Sequence, residues 1–180
     1  NIFDFLMKTK SIGFGEAVKT LAAEAGMQPY RFSNFDKKKD LRFQTYKNIY
    51  NSAFVFGDVS VGKNVWIGPN VILDGSAAPL VIGDGCTIAA GVHIYTHDNI
   101  LKTLSGGKEN IQTGPVTIGL NTYIGSQSII NKNVNIGNMC VVAANSFVSA
   151  HIDNKEIHAG NPAKKIGYIS EHEENIQLIY

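Results

Sequence analysis

"IGLNTYIGSQSIINKNVNIGNMCVVAANSFV", Ile118 to Val148, carries an aliphatic residue at every sixth position. The residue that follows is often glycine or alanine, and the fifth residue of each hexad is small or β-branched. A helix would show a period of 3.6 residues and a strand a period of two, so neither element explains a period of six. The stretch predicts a triangular coil in which each hexad forms one flat side and one corner.

The same period runs through most of the chain, with a skip of three residues after Leu73 and a jump of twenty-four after Ile94. The positions in phase are all valine, isoleucine or leucine: Val55, Val61, Ile67, Leu73, Ile82, Ile88, Ile94, Ile118, Ile124, Ile130, Ile136, Val142 and Val148. We expect these side chains to point into the prism and the small residues to relieve crowding at its corners. The pattern predicts five coils, 55–72, 73–93, 94–117, 118–135 and 136–153, and disfavours an ordinary β-sandwich.

Charge and composition exclude several broad classes. Sixteen basic and fifteen acidic residues give a net charge of +1, which argues against a general nucleic-acid binder. No apolar run approaches the length of a membrane span, and "NIFDFLMKTK" lacks the pattern of a signal peptide, so a cytoplasmic protein is expected. Cys86 and Cys140 both occupy the fifth position of a hexad, which predicts small buried wall residues rather than nucleophiles.

Three regions follow from the repeat: a cap and acceptor-side region over 1–52, a β-helix domain over 53–167 and a tail over 168–180. "GEAVKTLAAEAG", Gly15 to Gly26, predicts a short helix. The aromatic stretch from Tyr30 to Phe56 is either a plug over the open end of the prism or a stacking surface for a sugar. The tail is expected to form a surface helix.

The hexads are interrupted between His93 and Gly119. Because the phase survives the jump, the segment from about Ile100 to Ile111 is interpreted as an extruded loop that returns to its own coil. A loop on a rigid scaffold is a common place for functional residues. His97 lies at the foot of this loop and is followed by Asp98, whereas His93 falls in a hexad position that usually faces solvent.

The hexads, with "YTHDN" (Tyr95 to Asn99), "GPVTIG" (Gly114 to Gly119) and "GNPAKKI" (Gly160 to Ile166), resemble the hexapeptide-repeat acyltransferases. The resemblance implies a mainly β fold, a left-handed parallel β-helix, assembled as a homotrimer with active sites between neighbouring prisms. It implies acetyl-CoA as acyl donor, no metal, and His97 as general base. Imidazole suits that role because its unperturbed pKa of about 6.5 leaves it mostly neutral yet basic at pH 7.

Other roles come from matching the family motifs residue by residue. The resemblance implies a possible orienting or acceptor-side role for three residues: Asp98, Asn70 and Asp74. It implies contacts with acetyl-CoA for five residues, the first three along the pantetheine arm and the two lysines at the phosphates: Ser126, Ala144, Ser149, Lys164 and Lys165. The chain departs from the family at Tyr123, where tryptophan is frequent, and at Ala150, where lysine often stands, and the second departure weakens the phosphate contact there.

The resemblance implies an acetyltransferase acting on a sugar hydroxyl or on the amine of a nucleotide-linked amino sugar, in surface polysaccharide synthesis. A γ carbonic anhydrase-like metal lyase is an alternative, but it needs three converging imidazoles and only His93 and His97 are close in sequence. A non-catalytic β-helix scaffold is a second alternative. Serine O-acetyltransferase is a rival of the same class that usually carries a longer N-terminal domain.

Overall fold

The computed structural model describes residues 8–11, 20, 49, 52–172 and 175–180. The chain divides into two compact units, Asn1–Asn34 and Phe35–Tyr180, and the second contains all the hexads. The predicted helix over 15–26 lies outside the described residues except for Thr20, which is helical. Most of the aromatic stretch also lies outside them. None of the helices in the described segments is long and apolar enough to cross a membrane.

Short strands dominate the second unit. In chain order the elements are β1 (Phe54–Val61), β2 (Trp66–Ile67), β3 (Ile72–Ile82), β4 (Thr87–Ile88), β5 (His93–Tyr95), β6 (His97–Asp98), α1 (Ile100–Leu104), β7 (Gln112–Thr113), β8 (Val116–Ile118), β9 (Tyr123–Ile124), β10 (Ile129–Ile130), β11 (Val134–Ile136), β12 (Val141–Val142), β13 (Phe147–Val148), β14 (Glu156–Ala159), β15 (Lys164–His172) and β16 (Asn175–Ile179).

These strands form the three faces of a prism. The first face stacks the start of β1, the start of β3, β5, β10 and β13, all parallel. The second stacks the ends of β1 and β3 with β8 and β11. The third stacks β2, β4, β9, β12 and β14. The described part of the chain thus completes five coils, which confirms the predicted left-handed parallel β-helix.

The core follows the hexad phase. Of the thirteen predicted inward positions, twelve are buried and only Val55, in the first coil, is partly exposed. Ten fifth-position residues are buried: Val59, Val65, Val71, Cys86, Val92, Thr122, Ser128, Val134, Cys140 and Ser146. Aliphatic side chains of successive coils therefore form one continuous apolar column that stabilises the solenoid.

Nine corners have a left-handed residue at the fourth hexad position. These residues have φ between 52° and 71°: Asn64, Asn70, Gly85, Gly91, Asn121, Gln127, Asn133, Met139 and Asn145. Asparagine and glycine tolerate this conformation best, which explains their recurrence here. Glycine at the second position has another cause: a Cβ on Gly125 would lie 2.5 Å from the backbone nitrogen of Ala144 in the next coil.

Both interruptions of the phase occur at the corner between the first and second faces, which we call the loop edge. Leu73 and Ile82 are nine residues apart, because β3 carries extra residues between Gly75 and Leu80 where β1 has only Asp58. In the next coil β6, α1 and β7 form the extruded loop between β5 and β8. The two insertions are therefore stacked on one edge, in successive coils.

The C-terminal tail is a β-hairpin, so the predicted surface helix is wrong. The chain leaves the prism after Gly160, turns through the cis Asn161–Pro162 bond, and β15 then pairs antiparallel with β14. β16 pairs antiparallel with β15 and continues the sheet of the third face. The exposed edge of β14 supplies unpaired backbone groups, and pairing with them outweighs the helical preference of the glutamates.

The two cysteines are buried in the prism wall, and burial raises the pKa of both thiols. Cys86 Sγ donates to the Gly119 carbonyl at 2.9 Å and Cys140 Sγ to the Asp153 carbonyl at 3.0 Å. Because only the thiolate reacts readily, we expect neither thiol to react with an aromatic disulfide reagent in the folded protein. In denaturant both should react, and two equivalents released from the native protein within minutes would contradict this assignment.

Candidate functional site

His97 lies where the extruded loop begins. It pairs with Thr113 in the small β6–β7 ladder, so both strands of the loop's foot meet at this residue. The preceding residue, Thr96, is fully buried and donates its hydroxyl to the Asp74 carbonyl at 2.8 Å, while its own carbonyl accepts the Gly114 N–H at 2.9 Å. The residue before His97 is thus fixed both to the preceding coil and to the returning end of the loop.

The carboxylate nearest to His97 belongs to Asp74, one coil earlier on the loop edge. Asp74 Oδ2 lies 3.9 Å from His97 Nδ1, and this nitrogen is buried without a hydrogen-bond partner among the described residues. Asp74 Oδ1 accepts both the backbone N–H of Ser76, at 3.0 Å, and its hydroxyl, at 2.6 Å. The side chains of His97 and Asp74 are 32% and 15% exposed. Ser76 thereby holds the carboxylate so that its other oxygen faces the imidazole.

Asp98 follows His97 but its carboxylate is engaged elsewhere. Oδ2 pairs with Lys132 Nζ from the next coil, and Oδ1 accepts the Ile100 N–H at 3.1 Å at the start of α1. The hydrogen bond from Lys132, and after it the one from Ile100, hold the pKa of this carboxyl below its usual range. Of the two aspartates predicted as possible partners, the structure brings Asp74 rather than Asp98 to His97 Nδ1.

Asn70 and His93 lie at the opposite edge of the first face, between the third and first faces, which we call the pocket edge. They line a cavity of about 360 Å³ together with Pro69, Ala90, Gly91, Gln127 and Ile129. His93 is half-buried, and its Nδ1 is 3.2 Å from the Tyr95 hydroxyl. Burial and then the charge of Asp74 raise the pKa of Tyr95. The structure therefore does not bring Asn70 to His97.

The residues matched to the pantetheine arm are divided between the two edges. Ser126 and Ala144 stack at the pocket edge, where the Asn145 N–H donates to the Ser126 carbonyl at 2.9 Å. Ser149 follows β13 and lies on the loop edge. The width of the first face, about 13 Å for four residues at about 3.3 Å each, separates the two edges. One prism alone does not bring all three residues together.

Lys164 and Lys165 both lie in β15, on the hairpin that covers the end of the third face. Lys165 Nζ contacts Glu156 Oε1 at 2.6 Å, and Glu156 Oε2 accepts from His158 at 2.8 Å. Lys165 first, and then His158, lower the pKa of Glu156. Lys164 is exposed and Lys165 is already paired, so the two predicted phosphate contacts differ in availability.

Metal ligation was the basis of the lyase alternative. Within the described segments, no three His, Cys, Asp or Glu side chains come together in a group that could hold a metal ion. His93 begins β5 and His97 begins β6, and the two histidines lie at different edges of the prism.

The sequence reasoning did not identify Lys132 or Ser76, although the hexad phase contains the signal for both. Leu73, Ile94 and Ile130 are equivalent inward positions in successive coils. The residues just after each of them therefore share the loop edge. This phase places Lys132 beside the foot of the loop and Ser76 beside Asp74.

Comparison with known sequences agrees with the repeat. A family profile described as "Hexapeptide repeat of succinyl-transferase" matches residues 58–96 and 115–150. YJL218W of Saccharomyces cerevisiae, provisionally named an acetyltransferase, is 42% identical over 61% of this chain and 59% of its own length. Galactoside O-acetyltransferase of Escherichia coli K12 is 28% identical over 79% of this chain and 74% of its own. The match thus spans less than two thirds of the yeast relative.

Solved structures show the same architecture. A maltose O-acetyltransferase from Clostridium difficile 630 superposes with a TM-score of 0.60 at 25% identity, covering 87% of this chain and 86% of its own. An N-acyltransferase from Bacillus cereus, AntD, in complex with dTDP and 3-hydroxybutyryl-CoA, gives 0.55 at 26% identity, covering 67% and 78%. These proteins share the prism, and both carry names of acyl-transfer enzymes.

Proposed function

The chain belongs to the hexapeptide-repeat acyltransferase superfamily, and on that premise we propose that it transfers the acetyl group of acetyl-CoA to a sugar hydroxyl or to the amine of a nucleotide-linked amino sugar. The observation that carries the proposal is the pairing of His97 Nδ1 with Asp74 Oδ2 across 3.9 Å on the loop edge. This arrangement turns the buried nitrogen toward a carboxylate and leaves Nε2 as the basic atom for a substrate.

In the proposed reaction His97 Nε2 takes the proton of the acceptor hydroxyl or amine as that atom attacks the thioester carbonyl carbon. The new bond to oxygen or nitrogen forms, the carbon–sulfur bond breaks, and the imidazolium returns its proton to the departing CoA sulfur. The negative charge of Asp74, 3.9 Å from His97 Nδ1, favours the imidazolium that forms during transfer. The remaining rate enhancement comes from holding thioester and acceptor together.

We propose that the complete site forms in a homotrimer of parallel prisms. His97 and Ser149 lie on the loop edge, while Ser126 and Ala144 lie on the pocket edge. In a closed ring each loop edge faces the pocket edge of its neighbour, so one subunit supplies the base and the other the strand-like path for pantetheine. Lys164 and Lys165 then serve the CoA phosphates at the hairpin end of the prism.

Different relatives support the acyl donor and the class of acceptor. The 3-hydroxybutyryl-CoA complex of the Bacillus cereus relative supports an acyl-CoA donor. The galactoside and maltose enzymes support a sugar acceptor. We propose that the protein is a cytoplasmic enzyme that prepares building blocks for a surface polysaccharide. Such an enzyme would use both an acyl-CoA donor and a sugar acceptor.

The proposal is tested by measuring thiol release from acetyl-CoA with the purified protein over a panel of sugars, nucleotide-linked amino sugars and L-serine. We expect turnover with at least one sugar or amino sugar. Turnover with serine alone would identify a serine O-acetyltransferase. Stoichiometric bound zinc without thiol release would favour a metal lyase, and inactivity toward the whole panel would favour a scaffold.

Replacing Asp74 with asparagine should reduce kcat by about 10- to 100-fold, because the amide no longer favours the imidazolium formed during transfer. The amide retains the size of the carboxylate and can still accept from Ser76, so folding should be preserved. The measurement is kcat on the best acceptor, with Asp58→Asn as the matched control in the preceding coil. Full kcat in Asp74→Asn would remove Asp74 from the site.

A further inference from the structure

Lys132 lies on the loop edge one coil beyond His97, and its ammonium contacts the Asp98 carboxylate. Both side chains are 21% exposed, so most of this ion pair is covered by the protein. The strand before Lys132, β10, pairs with β5, which leads to His97. The hexad register therefore carries Lys132 to the place where the loop leaves the prism.

One carboxylate joins three parts of the structure at this point. Asp98 immediately follows His97, accepts the N–H of Ile100 in the first turn of α1, and binds the ammonium of Lys132 in the next coil. On the other side of His97, Thr96 is fixed by Asp74 and Gly114. The backbone of His97 is thus held from the preceding coil through Thr96 and from the following coil through Asp98.

We propose that Lys132 is a positioning residue for His97, acting through Asp98 to hold the foot of the extruded loop. The kinetic consequence of this inference rests on the proposed function, whereas the contact between Lys132 and Asp98 is independent of it. Loss of the contact made through Asp98, with the one through Thr96 retained, would let the imidazole move relative to the attacking atom. Small displacements of a catalytic group have large kinetic effects because transfer needs a near-attack geometry.

A different role for Lys132, binding a CoA phosphate, makes a distinct kinetic prediction. The Lys132 ammonium is already bound to Asp98. A lysine that binds the donor would raise KM for acetyl-CoA when removed, whereas a lysine that positions the base would lower kcat. The split between KM and kcat therefore decides between the two roles.

The experiment compares Lys132→Met, Asp98→Asn, the double variant and Lys132→Arg in the full chain. Lys155→Met is the matched control, since Lys155 pairs with Glu171 on the hairpin, away from the loop edge. We expect Lys132→Met and Asp98→Asn each to lower kcat by about tenfold or more, with KM for acetyl-CoA unchanged. The kcat of the double variant should be no lower than that of the less active single variant, because both substitutions break the same Lys132–Asp98 contact. Arginine should restore part of the rate.

Hydrogen exchange of residues 98–114 provides a readout that needs no substrate. Exchange at the Ile100 and Gly114 amides should become faster in Lys132→Met and remain unchanged in Lys155→Met. Unchanged exchange in Lys132→Met, additive losses in the double variant, or a rise in KM with normal kcat would each overturn the proposal. If the wild type transfers no acetyl group, the proposed function fails while exchange still decides whether Lys132 holds the loop.

Discussion

Replacing His97 with alanine is expected to lower kcat on the best acceptor by about 10²- to 10⁴-fold, the usual range for loss of a general base. KM for acetyl-CoA should change little, because the donor is proposed to bind along the backbone near Ser126 and Ala144 rather than at the imidazole. The loss should exceed that of Asp74→Asn, since Asp74 acts only through His97. Steady-state thiol release gives both constants.

His93→Ala is the matched control for this prediction. His93 begins β5, the strand that leads to β6 and His97, but it lines the cavity at the pocket edge instead of facing Asp74. We expect it to retain kcat within a few-fold of the wild type. Equal losses in the two variants would indicate a general disturbance of β5, and full kcat in His97→Ala would refute the assignment of the base.

Replacing Ile130 with alanine should destabilise the folded protein by about 2–5 kcal/mol, because the side chain is fully buried in the apolar column and its loss leaves a cavity. The adjacent residue is the control. Ile129 points outward from the same strand and is 39% exposed, so Ile129→Ala should cost less than about 1 kcal/mol. The measurement is the denaturant midpoint of each variant at the same protein concentration.

Two neighbouring isoleucines with opposite effects would be a direct test of the hexad phase. A shift of the phase by one residue would exchange the two outcomes, because successive side chains of a strand point to opposite faces. Comparable destabilisation by both substitutions would mean that Ile129 is buried as deeply as Ile130, contrary to the orientation described above.

The prism could be predicted from sequence because its core imposes one steric requirement at every sixth residue. Inward positions such as Ile94 and Ile130 admit only aliphatic side chains, and the phase locates each of them without reference to distant contacts. The corners contain a second signal. Asparagine and glycine recur at the fourth position because φ is positive there at nine corners, and this position marks those corners independently of the aliphatic residues.

The tail was not predictable from local pattern alone. β15 and β16 are strands because β14 leaves an unpaired edge at the end of the prism, which is a tertiary circumstance. The glutamates near residue 172 favour a helix locally, but pairing with an existing sheet outweighs that preference.

The candidate site was predictable to the extent that the loop interruption isolates His97. Adjacency in sequence, however, is a poor guide to which carboxylate faces the ring. Asp98 is one residue away but turns to Lys132, whereas Asp74 is twenty-three positions earlier and faces the imidazole because one coil separates them. The division of Ser126 and Ser149 between two edges likewise depends on which corner each hexad reaches.

The stacking of both insertions on one edge has a consequence for how this scaffold can change. Extra residues at that corner leave the phase of every later hexad intact, as Ile82 and Ile118 show by returning to the core. The corners closed by Gly119 or Gly125 have no such freedom, since even a methyl group would strike the neighbouring coil. Chain length at this edge is therefore uncoupled from the rest of the architecture. A segment at this edge can be lengthened or exchanged without redesigning the prism that carries it.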